Sequence, residues 1–228
     1  MAKKTKTKKK ATAYWSASAP AAMNPIDHEL AIVTLRKTDK SMRKIIDACG
    51  PYTMKPKRGY FAALCRAIIG QQLAVAAAAT IYERFRNLFP TGRPNPDALL
   101  SISKPRLRAV GLSNQKTAYL IDLATHFSQG SIPNRRLSRM TDGEVIESLT
   151  AVKGIGVWTA QMFLIFVLAR PDVWPTGDLG IRRALERSFS VSTEASLDDL
   201  EHLGEPWRPF RSYAAWYLWR SLDVVPVS

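Results

Sequence analysis

From Ile26 onward the apolar residues recur with helical spacing. Met42, Ile45, Ile46 and Cys49 fall at i, i+3, i+4 and i+7, which is one face of a helix. Gly50-Pro51 stops that helix, because proline cannot continue it. Phe61, Leu64, Cys65 and Ile68 repeat the spacing. Leu73, Ala77, Ile81, Phe85 and Leu88 predict the next core-facing stripe. Leu120, Leu123, Ala124 and Phe127 predict another, with Ser113 ahead of it as a cap. Thr141 and Glu144 form a capping-box pair before Val145, Leu149 and Val152. Phe210, Tyr213, Ala214 and Tyr217 mark a final helix. Long alternating patterns are absent. The pattern predicts an all-α domain over residues 26–228, with about eight to ten helices.

Residues 1–25 read differently. Lysine and threonine runs give way to Ala, Ser and Pro without core periodicity. The expectation is a basic, disordered tail, which could tether DNA or serve as a nuclear address in a eukaryotic host.

Composition narrows the partners. With 228 residues, 46% of them hydrophobic, the chain can bury a core without staples. The formal net charge is +14, and the tail lysines Lys3, Lys4, Lys6, Lys8, Lys9 and Lys10 supply six of it. Subtracting six from +14 leaves +8 on residues 11–228, so the folded part is basic too. A polyanion, most naturally nucleic acid, is the expected partner. The two cysteines, Cys49 and Cys65, exclude a disulfide scaffold, a four-cysteine zinc site and an iron–sulfur cluster. Both sit on apolar stripes and read as small buried hydrophobes. His28, His126 and His202 lie too far apart to form a metal-ligand pattern. No apolar run reaches the roughly eighteen residues of a membrane span. The lysine-rich start has no apolar signal region, so an intracellular protein is expected.

The chemistry concentrates between Asp142 and Ser188. A helix over Asp142–Ala151 leads into Val152-Lys153-Gly154-Ile155-Gly156, then a very apolar helix from Val157 to about Ala169. Two helices joined by apolar-x-Gly-apolar-Gly make a helix-hairpin-helix. Its glycines permit unusual backbone angles and close approach of another chain. Gly156 opens the second helix, whose free N–H groups can hold a phosphate without base preference. Lys153 adds a charge. Alone, the turn is equally an ordinary helix corner. Asp178 follows Gly156 by 22 residues and reads first as the N-cap of a helix over Leu179–Ser188. The intervening helix and loop would also let it face a groove beside the hairpin, so one residue could cap and catalyse.

Four ordered segments carry a resemblance: Ala67-Ile68-Ile69-Gly70-Gln71-Gln72-Leu73, Leu149–Ala160, Gly177-Asp178-Leu179-Gly180-Ile181-Arg182, and Pro206–Trp219. From about Tyr60 to Asp223 the chain resembles the helix-hairpin-helix/Gly-Pro-Asp superfamily of DNA glycosylases. Within it, the chain is similar to the DNA-3-methyladenine glycosylase II (AlkA/Mag) type. The resemblance implies two helical subdomains with a groove between them, and Asp178 as catalytic aspartate. Trp158 and Trp219 match aromatics lining the pocket for the everted base. Met162 matches a pocket position that is aromatic in some members, and Gly177 stands where some carry a second acid. Gln71, Gln72 and Leu73 match the region that contacts DNA or fills the gap in the duplex. Lys153, Gly154 and Gly156 match the DNA-holding hairpin. Thr150, Val152 and Ile155 match positions whose carbonyls hold a monovalent cation, Na+ or K+. No other cofactor is implied. The β-rich domain of the longer bacterial members has no room here.

The implied activity is hydrolytic removal of alkylated purines, 3-methyladenine first and 7-methylguanine as a further substrate, from double-stranded DNA. Members with lyase activity carry a lysine two residues after the second hairpin glycine; Trp158 stands there. A monofunctional, monomeric enzyme located with the genomic DNA is therefore expected. Two readings stay open at this point: a glycosylase for another lesion, and a non-enzymatic DNA-binding module.

Overall fold

Side-chain caps set many of the helix starts. In the computed structural model, which describes residues 25–57 and 59–224, Asp39 accepts the Met42 N–H at 2.8 Å and opens α2 (Lys40–Cys49). Ser113 opens α7 (Asn114–Ser128) in the same way. Thr141 and Glu144 form the expected capping box before α8 (Asp142–Thr150). A second box, Ser196 with Asp199, starts α11 (Leu197–Gly204). The remaining helices are α1 (Pro25–Thr38), α3 (Tyr60–Gly70), α4 (Val75–Arg86), α5 (Pro96–Leu100), α6 (Lys104–Ala109), α9 (Val157–Phe166), α10 (Leu179–Phe189) and α12 (Arg211–Val224).

The described residues contain twelve α-helices, two 3-10 turns and no strand. The all-α expectation therefore holds, but the helix count exceeds the expected range. The surplus comes from helices such as α5 and α6, of five and six residues. Neither is long enough for its apolar positions to repeat over two turns. Their sequence signature is instead a capping-type residue followed by proline, Asn95-Pro96 and Ser103-Lys104-Pro105. None of the described helices is long and apolar enough to cross a membrane. The basic segment 1–25 lies outside the described residues except for Pro25.

Apolar burial divides into two cores. The first is built from α3 to α9, around Leu64, Ile68, Leu120, Leu123, Leu149 and Leu164. The second joins the two ends of the chain, with α1 and α2 packed against α10, α11 and α12. The chain crosses between them at Val173-Trp174, since Val173 belongs to the first core and Trp174 to the second. Trp219 packs against both and so stands at their junction. Cys65 is buried, and burial pushes its thiol well up, in keeping with a small hydrophobe.

One predicted stripe is only half right. Phe85 is buried and Ile81 and Leu88 are half-buried, but Leu73 and Ala77 are exposed. Val75, at the start of α4, is 87% exposed. The first turns of α4 carry mostly alanine and stand clear of the first core, beside the turn that follows α3.

Helix α9 ends at Phe166, short of the expected Ala169, because the chain turns there. Ala169 adopts φ +53°, and the Arg170 N–H bonds the Leu164 carbonyl at 2.9 Å. The buried Arg170 then donates to the carbonyls of Ser138 and Met140 and pairs with Asp142 at 3.3 Å. A second buried cation, Arg211, holds Asp172 at 2.7 Å and Glu201 at 3.0 Å. Arg208 also reaches Asp172, at 2.7 Å. The crossing segment between the cores is thus clamped by charge to α11 and α12.

Candidate active site

Asp178 closes the crossing segment and starts α10. Its backbone is extended, at φ −80° and ψ 126°, and its Oδ1 accepts the Ile181 N–H at 2.9 Å. That is the expected cap. The same Oδ1 also accepts the Trp219 Nε1–H at 2.8 Å. Its Oδ2 accepts the Trp158 Nε1–H at 2.7 Å. A carboxylate has about four lone-pair directions, and three are taken here by N–H donors. The side chain is locked in one orientation, with one direction on Oδ2 left over.

Gly180 makes this arrangement possible. A Cβ at that position would stand 2.9 Å from Trp219 Cδ1 and 3.0 Å from Asp178 Oδ1. The first turn of α10 therefore approaches the indole edge directly.

The two tryptophans arrive from different elements. Trp158 is on the first turn of α9 and, like Val157 before it, is 48% exposed, whereas most of that apolar helix is buried. Trp219 comes from α12, and its ring lies 5.5 Å from that of Phe166 at a 31° tilt. Met162 is half-buried against the first core. Trp158, Met162 and Phe166 are spaced i, i+4 and i+8, so they share one face of α9. Phe166 went unnoticed in the sequence, although that spacing was the signal. The Lys57 ammonium lies 5.9 Å from the centre of the Phe166 ring. Beside Trp158, a cavity of about 330 Å³ opens between α9 and α11, lined also by Val157, Gln161, Trp174 and Leu197. Helix α11, whose Leu197, Asp198 and Glu201 line the cavity, carries no motif that ties it to the site.

The turn after α3 is tied to the hairpin. The Gln71 side-chain amide donates to the Gly154 carbonyl at 2.8 Å, so Gln71 braces the two loops. Gln72 is exposed and adopts φ +56°, in the left-handed region. Leu73 beside it is 38% exposed. Lys116 stiffens the turn from behind, donating to the carbonyls of Ile69 at 2.7 Å and Gln71 at 2.8 Å. Partial burial pulls that ammonium's pKa down from its ordinary value.

In the hairpin, Gly154 adopts φ +81°, and a Cβ there would overlap the Tyr119 ring. Gly154→Ala is expected to lower unfolding free energy by at least about 2 kcal/mol, from left-handed strain and overpacking together. Urea denaturation checks this; a smaller loss would mean that the hairpin and α7 separate easily. Lys153 does not project freely. Its N–H bonds Asp122 Oδ2 at 2.8 Å, and its ammonium lies 3.6 Å from Asp122 Oδ1. Gly156 starts α9 with no side-chain cap, and Gly156 and Val157 are exposed. The helix start therefore presents N–H groups outward, the arrangement that holds a phosphate.

Residues 65–209 match the family described as "HhH-GPD superfamily base excision DNA repair protein". The chain belongs to that superfamily. It is 36% identical over 200 residues to DNA-3-methyladenine glycosylase 1 of Schizosaccharomyces pombe, covering 84% of this chain and 86% of that protein. It is 30% identical over 167 residues to DNA-3-methyladenine glycosylase 2 of Escherichia coli, covering 68% of this chain. The chain spans 55% of that bacterial relative's length and 58% of a Bacillus subtilis one. The S. pombe 3-methyladenine DNA glycosylase (Mag1), solved in complex with abasic DNA, superposes with a TM-score of 0.78 at 32% identity. That match covers 86% of this chain and 98% of the other.

The superfamily's hairpin cation can be weighed against the residues present. Among the described residues, no cluster of three His, Cys, Asp or Glu side chains could hold a metal ion. Any ion at the hairpin would therefore rest on main-chain oxygens. The Val152 carbonyl accepts one bond, from the Ile155 N–H at 3.1 Å, and keeps a second lone pair. Thr150 and Ile155 flank it in the bend. This donor set is all neutral oxygen, which suits a hard, weakly charged cation.

Proposed function

We propose that this chain is a monofunctional DNA glycosylase that everts and removes alkylated purines, 3-methyladenine first, from double-stranded DNA. The observation that carries the reading is Asp178, a carboxylate fixed by two indole N–H groups at the junction of two helical cores. A module that only holds DNA needs no such group.

A base inside a duplex is out of reach, so it must be flipped out, at a cost of a few kcal/mol that damage reduces. Alkylation at N3 or N7 leaves the purine positively charged. The exposed face of Trp158 and the Trp219 ring attract such a cation by about 0.5–2 kcal/mol. The charged base leaves with the glycosidic electron pair, and the sugar passes through an oxocarbenium-like state. The Asp178 carboxylate stabilises that positive charge. Water oriented by the spare direction on Oδ2 adds at the sugar carbon and gives its proton to that oxygen, from which it passes to solvent.

The hairpin's helix start grips a backbone phosphate, and exposed Gln72 and Leu73 face the gap left by the flipped base. The carbonyls of Thr150, Val152 and Ile155 would hold Na+ or K+, which would supply positive charge between the hairpin and that phosphate. The enzyme works as a monomer wherever genomic DNA is kept, and 7-methylguanine is a second substrate.

The test is release of free bases from duplex DNA treated with a simple methylating agent. Release of 3-methyladenine is expected, and its absence would remove the assigned substrate. Since Trp158 occupies the position of the lyase lysine, borohydride should trap no covalent enzyme–DNA adduct. A trapped adduct would refute the monofunctional assignment.

Gly180→Ala separates chemistry from stability. Alanine is the better helix former by about 1 kcal/mol, which offsets much of the crowding. Displacement of Trp219 and Asp178 should still slow base release by about a hundredfold. Single-turnover rates alongside thermal melts would show it. A variant of full activity would mean that the indole–carboxylate contact does not matter.

A further inference from the structure

A second cavity lies between α6 and α7, with the hairpin's Lys153 at its edge. Its volume is about 380 Å³, and its walls include Lys104, Arg108, Asn114, Thr117, Asp122 and Lys153. We infer that it is a phosphate-binding pocket whose occupant is a backbone phosphate of DNA. The inference rests on the reading of the hairpin as the DNA-holding element.

Thr117 is the strongest sign. It is 3% exposed, and its hydroxyl is fully buried with no hydrogen-bond partner among the described residues. Folded proteins rarely leave a buried hydroxyl unpaired, because doing so forfeits its solvation for nothing. Thr117 borders the cavity, and a turn about its Cα–Cβ bond would bring the closed-off hydroxyl to an acceptor seated there. A phosphate oxygen is such an acceptor, and a phosphate offers several.

The charges agree. Lys104 and Arg108 are exposed, four residues apart on one face of α6, and neither has an ion pair among the described residues. Asp122 is the one acidic wall. Its carboxylate is engaged by the Lys153 N–H at 2.8 Å, the Lys153 ammonium at 3.6 Å and His126 Nε2 at 3.8 Å. Two cations, Lys104 and Arg108, stay uncommitted, while the Lys153 ammonium stays paired with Asp122 at 3.6 Å at the cavity's edge.

Lys153 also identifies the source of the phosphate. It belongs both to this cavity and to the hairpin turn, so the pocket continues the surface that begins at the start of α9. A strand held at the hairpin would run on over α6.

The experiment uses the full chain and an undamaged DNA duplex, so that it does not depend on base excision. Binding is measured by fluorescence anisotropy across a range of salt concentrations. The double variant Lys104→Ala/Arg108→Ala should bind more weakly. The slope of log K against log salt should become shallower by about 0.9, one phosphate's worth. Thr117→Val removes only the hydroxyl. It should weaken binding on the order of tenfold without changing the salt slope, because no charge is lost.

Thermal melting in inorganic phosphate supplies the other arm. If phosphate stabilises the unaltered chain but not the double variant, while duplex binding is the same in both, the pocket takes a free anion and the DNA assignment is overturned. If Thr117→Val melts higher and binds both duplex and phosphate as before, the hydroxyl is a packing defect and the pocket itself is overturned. Absence of base release from methylated DNA by the unaltered chain, with its duplex binding intact, would instead count against the glycosylase reading and leave the pocket standing.

Discussion

Asp178→Asn should lower base release from methylated duplex DNA by at least about a hundredfold, the scale on which preorganised electrostatic groups act. The fold should survive, because asparagine ranks with aspartate as an N-cap and can still accept the Ile181 N–H. The site should not. Both carboxylate oxygens accept an indole N–H, one at 2.7 Å and one at 2.8 Å. An amide offers one oxygen and one NH2, so one indole would face a donor at hydrogen-bond distance and have to move. Charge and geometry are lost together. Asp178→Glu separates them: the charge stays, but the carboxylate shifts by about the length of one methylene. A misplacement near 1 Å typically slows catalysis about 100-fold. Single-turnover release by both variants, with duplex affinity as the control, decides the matter. An Asn variant working at the unaltered rate would remove Asp178 from the chemistry.

The features legible in the sequence are those whose physics is local. A cap bonds a residue three positions away, so Ser113, Thr141 and Asp178 could be placed from their neighbours. The hairpin glycines were legible for the same reason, and Gly154 does adopt a positive φ. Contacts between distant segments were not. Asp178 and Trp219 are 41 residues apart, and Gln71 and Gly154 are 83 apart. Resemblance put those residues in one neighbourhood, but it did not give the bonds between them. Gln71, expected at the duplex gap, spends its amide on the hairpin, while Gln72 next to it stays exposed. The apolar spacing through α4 misled because spacing reports a face, and its first half has no core to meet. Lys153 reads as a free phosphate ligand until Asp122, 31 residues earlier, is seen to hold it.

Arg211→Ala should be the most damaging substitution for stability, at about 3–5 kcal/mol, the usual loss when one member of a buried ion pair is deleted. Arg211 is buried and bonds Asp172 through both its Nε and its Nη2, with Glu201 on Nη1. Deletion removes the hydrogen-bonded partner of Glu201 and leaves Asp172 with Arg208 alone. The damage should also depend on pH, with a definite sign. Burial already pushes the Glu201 carboxyl above its ordinary value of 4.5, and Arg211 is the main charge pulling it back. Without Arg211 it must rise further. A carboxyl whose folded pKa lies above its unfolded one weakens the fold at high pH. That penalty fades as pH falls through the raised value toward the ordinary one. The stability gap between the unaltered chain and Arg211→Ala should therefore be widest near neutrality and narrow on mild acidification. Urea unfolding from pH 7 down toward pH 5 would trace it. Asp172 sits six residues before Asp178 in the crossing segment, so the same variant should lose base release even where it remains folded. A gap independent of pH would place the loss in packing around the arginine stem, with charge playing no part.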